Sequence, residues 1–298
     1  MTDTTSETTT AAAAATATET TQKEVCALVC GHTGATGRAL TALLLADKRV
    51  ARVVTIGRHE YFVKNDKLRH VAISDVKEIA EVELPADVAG MELHAFWCLG
   101  TTRKDAGSAQ RFREIDFGGA EAFIALCKKH NVNNFMLLSS TGASSSSWFL
   151  YMKTKGEIED AARNAGFARV EIFRPGLLDR GDERRTNESL SLFFLSGLPV
   201  KKLAMAMLRS AFAEGDVKGD SEQKTEGGSH VTVYANKQIY LMAEQFEKDH
   251  PDVAAAEVPS RPAPVAATAT TTTEEHAEES KTEAKAETPS EQKEQQQQ

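Results

Sequence analysis

The chain has 298 residues, 41% of them hydrophobic and 26% charged, with a formal net charge of −8. The charge is uneven: residues 1–22 hold three acids and no base, residues 251–298 hold ten acids and four bases, and residues 24–250 are neutral with 30 of each. A neutral body gives no reason to expect a nucleic-acid surface. No apolar run is long enough to predict a spanning helix, and the acidic, arginine-free start reads neither as a secretory signal nor as a matrix-type transit peptide.

The two ends, 1–23 and 251–298, are mixtures of Thr, Ala, Glu, Lys and Gln. They lack the large apolar side chains that offset ordering entropy and are expected to be disordered. That leaves one domain over 24–250. It opens with an apolar run, Val25 to Cys30, then a glycine-rich turn, then a helical pattern from Arg38 to Asp47 and a valine-rich strand from Val50 to Ile56. Short strands follow at 71–73, 94–99, 134–138 and 168–173, separated by a weak helix at 77–90 and stronger ones at 107–130 and 150–164. Apolar strands alternating with helices predict an α/β protein with a Rossmann-type, doubly wound parallel sheet covered on both faces. After Gly176 the rhythm changes. Short helices are expected at 189–196 and 203–212, an exposed loop at 214–229, a late strand at 230–234 and a last helix at 239–246. Elements within 177–250 are expected to cover the ligand edge of the sheet as a substrate or lid region, with Leu190, Leu192, Phe193, Phe194 and Leu195 as an apolar wall.

Gly31, Gly34 and Gly37 have the spacing GxxGxxG between a strand and a helix. The first allows a tight turn, the second close approach of a pyrophosphate, and the third close helix–strand packing, while the helix start offers N–H groups to phosphate. Gly31, Thr33, Gly34, Ala35, Thr36, Gly37 and Arg38 are therefore candidate cofactor contacts. The second strand ends on Arg58, which suits a 2′-phosphate and cannot accept a ribose hydroxyl. NADPH/NADP+ is thus preferred, with NAD(H) kept open by Glu60. Asp75, past the third strand, either receives the adenine amino group or caps the following helix.

Tyr151 and Lys155 lie four apart at a helix start, on one face. A phenol titrates too high for acid–base work at neutral pH, and a nearby ammonium lowers it. Ser139 and Ser140, at the end of the preceding strand, are candidates for polarising a carbonyl, and Lys153 is expected to be solvated. The cysteines Cys26, Cys30, Cys98 and Cys127 form no CxxC pair, so buried reduced thiols and no metal site are expected.

Taken together, Gly31-His-Thr-Gly-Ala-Thr-Gly37-Arg38, Val54-Thr-Ile-Gly-Arg58, Cys98-Leu-Gly-Thr-Thr-Arg103, Phe149-Leu-Tyr-Met-Lys-Thr-Lys-Gly-Glu157 and Phe173-Arg-Pro-Gly176 carry a family resemblance. The chain resembles an atypical short-chain dehydrogenase/reductase, and more narrowly the Tat-interacting oxidoreductase family with its fungal mitochondrial relatives. The resemblance implies an NADPH-binding single-domain fold, with Leu99, Gly100 and Thr101 beside the cofactor, Tyr151 and Lys155 as acid–base pair, and Pro175 and Gly176 running past the nicotinamide. Two functions follow as expectations. One is reduction of a carbonyl substrate by NADPH. The other is an NADPH-sensing module that binds regulatory protein partners with little turnover. The oligomeric state is left open. The expected location is cytoplasmic, with peripheral association with the mitochondrial outer membrane as the alternative the fungal relatives suggest.

Overall fold

A computed structural model of the chain describes residues 23–180, 197–212, 218–225 and 228–261. Strand β1 (Val25–Cys30) is buried along its whole length. Its alternate residues serve two cores, as the two-residue period of a strand requires. Cys26, Leu28 and Cys30 join one cluster, while Ala27 and Val29 join the other. A strand apolar on both faces must be covered on both, which places it at the centre of a sandwich of helices.

The chain continues through α1 (Ala35–Ala46), β2 (Val50–Gly57), β3 (Leu68–Ala72), β4 (Glu92–Trp97), α2 (Arg103–Ala106) and α3 (Ala109–Arg113). Then come α4 (Gly119–Lys129), β5 (Asn134–Leu138), α5 (Leu150–Asn164) and β6 (Arg169–Arg174). The later described elements are β7 (Leu178–Asp179), β8 (Leu198–Pro199), α6 (Val200–Ala211), β9 (Ser221–Lys224), β10 (His230–Ala235), α7 (Asn236–Asp249) and α8 (Pro251–Ala254).

The main sheet runs β3-β2-β1-β4-β5-β6-β10-β9. All its neighbours pair in parallel except β9, which runs antiparallel to β10. Phe123, Leu126 and Ile158 of α4 and α5 cover one face. Leu40, Leu203, Met207, Ile239 and Phe246 of α1, α6 and α7 cover the other. This is the doubly wound Rossmann architecture. The order reverses between β1 and β4, and ligands bind at the carboxyl ends of strands where that happens.

Several local expectations are corrected. The segment 77–90 forms two 3-10 turns, Val76–Glu81 and Ala86–Val88, with Pro85 between them, and buries only Ile79 and Val88 within them. The long helix over 107–130 is broken: Gly107 ends α2 at positive φ, Ser108 caps α3, and a π-helical turn at Glu114–Gly118 precedes α4. Part of the loop expected at 214–229 is strand β9. Helix α6 buries Leu203 to Leu208 against α1 and α7, so it is core and does not cover the ligand edge. Residues 251–261 belong to the compact unit that runs through Arg261, because Val253, Ala254, Ala256 and Val258 pack on the second core. The body therefore reaches 261, not 250. The apolar wall at 190–195, the helix at 189–196 and the outer parts of both tails lie outside the described residues.

Candidate dinucleotide and catalytic site

At the switch point, a cleft of about 370 Å³ is lined by Gly31–Gly34, Ile56–His59, Ile73–Val76, Cys98–Thr101, Asp105, Arg111, Ile115 and Arg261. A larger hollow of about 750 Å³ lies among Lys23, Pro85, Ala86, Val88–Leu93 and His130, at the amino ends of the strands. The cleft at the carboxyl ends is the one that the topology assigns to ligand.

Gly31 has φ +88, and a Cβ there would collide with the Leu99 backbone. A Cβ on Gly37 would collide with the backbone of Gly31, so the start of α1 rests directly on the loop. Gly34 is the N-cap of α1, with no side chain capping the helix and no acid in its first turn. The helix start, at Ala35 and Thr36, therefore keeps its positive end for an incoming anion. Thr33 lines the cleft beside it. An open cleft under a glycine cradle and an uncapped helix start fits a dinucleotide pyrophosphate.

Arg58 is exposed on the cleft wall, whereas Arg38 is 7% exposed and is not among the residues lining it. The Arg38 carbonyl accepts the Tyr61 hydroxyl. Asp75 caps the first 3-10 turn in a reciprocal box with Glu78. Its carboxylate also accepts a 2.7 Å bond from Arg111, which holds its pKa below the usual value. The capping alternative for Asp75 is thus the one seen, and Asp75 still lines the cleft.

Leu99, Gly100 and Thr101 follow β4 into the cleft. A Cβ on Gly100 would stand 3.3 Å from Lys155 Nζ and 3.6 Å from Asp116 Oδ1. Lys155 and Asp116 are both buried, with Nζ 3.2 Å from Oδ1. The other carboxylate oxygen of Asp116 accepts the Thr101 N–H at 2.9 Å. Asp116 sits in the π-helical turn, where one extra residue per turn re-aims a side chain. Sequence reasoning passed over it, because a lone acid inside a helical pattern carries no signal. Tyr151 is 41% exposed and, like Lys155, is not among the residues lining the 370 Å³ cleft; its ring centroid lies 5.9 Å from Lys155 Nζ and 6.2 Å from the Phe112 ring. Lys153 is exposed, as its helix face predicts.

The two serines separate. Ser139 is 5% exposed and donates to Glu159 at 2.6 Å. Glu159 is fully buried and also accepts from Arg174 and Arg163. Ser139 is therefore committed to a clamp joining β5, α5 and β6. Ser140 is half-buried, and among the described residues its hydroxyl makes only a long 3.4 Å bond to the Thr141 carbonyl. Pro175 accepts the Thr141 N–H and Gly176 donates to Asn236, but neither lines the 370 Å³ cleft. His32, within the glycine loop, was also missed. It is 2% exposed and bonds the His59 carbonyl at 2.6 Å, tying the loop to the segment that carries Arg58.

Fold and site together define a Rossmann-type NAD(P)H-binding protein. The profile of the family described as NAD(P)H-binding matches residues 31–209, and the chain belongs to that family. Protein FMP52, mitochondrial, from Candida albicans is 30% identical over 70% of this chain and 97% of its own length. Protein HTATIP2 from Rattus norvegicus is 34% identical over 57% of this chain and 70% of its own. A short-chain dehydrogenase/reductase structure from Saccharomyces cerevisiae superposes with a TM-score of 0.52 at 14% identity, covering 70% of this chain and 95% of that one. The Bordetella bronchiseptica enzyme WbmH in complex with NAD+ gives 0.50 at 16% identity, over 64% and 73%. The resemblance to the Tat-interacting and fungal proteins holds. The cytoplasmic expectation does not, because the fungal relatives are named mitochondrial. Among the described residues no helix is long and apolar enough to cross a membrane.

Proposed function

We propose that the protein reduces a small carbonyl compound with NADPH. The observation that carries this reading is the Tyr151 ring 5.9 Å from the Nζ of Lys155, with that buried lysine held by Asp116 beside Gly100, a residue that lines the dinucleotide cleft. When bound, the dinucleotide supplies a hydride to the carbonyl carbon. Tyr151 gives its hydroxyl proton to the carbonyl oxygen, so the product is an alcohol. The Lys155 ammonium stabilises the phenolate left behind, and Asp116 keeps that ammonium in place. Ser140, not Ser139, is the strand-end hydroxyl free to receive the substrate oxygen. Thr33 and Arg58 would hold the adenosine end, and the start of α1 would hold the pyrophosphate. The preference for NADPH is supported by Arg58 on the cleft wall, while Glu60, the acid that would favour NAD, is not among the lining residues. The fungal relatives' names favour a mitochondrial place of action.

The test is NADPH oxidation by purified protein across a panel of aldehydes and ketones, with Tyr151→Phe as control. Turnover should fall by at least about 10²-fold while NADPH binding is kept. Unchanged turnover would overturn the mechanism. Partner capture that depends on NADPH and survives Tyr151→Phe, with no turnover on any substrate, would instead establish a cofactor-sensing role.

A further inference from the structure

The chain after α7 does not leave the domain. It turns through α8 onto α1, with Val253, Ala254, Ala256 and Val258 packed on the second core. Glu257–Ser260 then line a groove with Ala42, Leu45 and Ala46 of α1 and with Tyr61, Val63 and Asn65 beyond β2. The next residue, Arg261, lines the dinucleotide cleft together with Thr33, Gly34, Arg58 and His59. The groove fixes the side of entry. The strap arrives over the segment that follows β2, which carries Arg58. Arg261 is exposed, and neither it nor Arg58 forms an ion pair with a described residue. The other guanidinium in the cleft, Arg111, is already bound to Asp75 and Glu114. Arg261 lies beyond residues 31–209, the span matched by the family profile.

We propose that Arg261 is a second ligand for the 2′-phosphate of NADPH, delivered across α1 by the strap and paired with Arg58. The inference rests on the NADPH reading above. A phosphate monoester presents several acceptor oxygens, and a planar guanidinium binds two of them at once. Two guanidinium groups in the same cleft would clasp it, whereas NADH offers only a hydroxyl there.

The experiment is calorimetric titration of the full chain with NADPH and with NADH. In Arg261→Ala the affinity for NADPH should fall about tenfold, with NADH changed less than about twofold. Arg261→Lys should recover part of the loss. Val258→Asp, which loosens the strap without touching the cleft, should reproduce the NADPH-specific loss. An unchanged NADPH affinity in Arg261→Ala overturns the proposal, even where Arg58→Ala abolishes the preference. An equal loss for both cofactors overturns it too, since the contact would then not be with the 2′-phosphate. A wild-type protein that binds NADH as tightly as NADPH refutes the underlying preference, and that result is read before any variant is made.

Discussion

Asp116 and Lys155 form the point at which a single residue decides the chemistry. Both side chains are at most 4% exposed. Removing one partner leaves a buried charge alone, which costs about 3–5 kcal/mol. Asp116→Asn keeps the shape and an acceptor for the Thr101 N–H, so its expected loss is that of the ion pair, about 3 kcal/mol by denaturant unfolding. Turnover should fall with it. Lys155→Met should cost a similar amount, and the double variant should lose less than the sum, the mark of a direct interaction. Additive losses would show the two side chains to be independent. The free thiols give a second check at this scale. Burial pushes Cys26 and Cys98 up to about 12, so neither supplies thiolate at pH 8. A disulfide-exchange reagent should label both only after denaturant is added, and rapid labelling of the native protein would contradict their burial.

Among the elements, α5 shows how a glycine outweighs helix propensity. Replacing a mid-helix glycine by alanine ordinarily stabilises by about 1 kcal/mol. A Cβ on Gly156, however, would collide with the backbone of Ser144 and Ser145, which cannot yield as a flexible side chain would. Gly156→Ala is therefore expected to lower Tm and to displace the serine turn beside Tyr151, reducing kcat. A rise in Tm would show that the turn gives way freely. Strands β1, β2, β4, β5 and β6 were legible in the sequence because each is an apolar run closed by Gly, Ser or Arg-Pro. The glycine loop and the Tyr151–Lys155 spacing were legible because they are local. What was not legible depends on contact across the chain. The π turn that aims Asp116 has no sequence period of its own. Ser139 and Ser140 are equivalent by spacing and are separated only by Glu159, 20 residues away. The strap at 251–261 has no large apolar residue, and its small ones, Val253, Ala256 and Val258, find their partners on α1 and α7.

For the molecule as a whole, two buried histidines at different places on the sheet couple folding to pH. His32 ties the glycine loop to the end of β2. His94 joins Glu92 on its own strand to Asn134 of β5. Burial pushes the His32 pKa down from 6.5 to about 4, against the pull of the His59 carbonyl. Burial also lowers that of His94, despite the neighbouring Glu92. Each ring is therefore neutral in the folded state at a pH where the unfolded chain binds a proton. The unfolded state holds more protons between pH 6.5 and about 4, so stability rises with pH across that window. The contribution is complete above 6.5 and is lost as pH falls towards the folded value, amounting to about 3 kcal/mol for His32. Carboxylates such as Asp75, held low by Arg111, respond only at more acid pH. Denaturant unfolding at pH 7.5, 6 and 5 should show stability dropping before those carboxylates titrate. His32→Asn should flatten the profile between pH 6.5 and 5 while lowering stability at pH 7.5, because the link to the His59 carbonyl is weakened. A wild-type profile level from pH 7.5 to 5 would mean that neither ring is kept neutral by the fold.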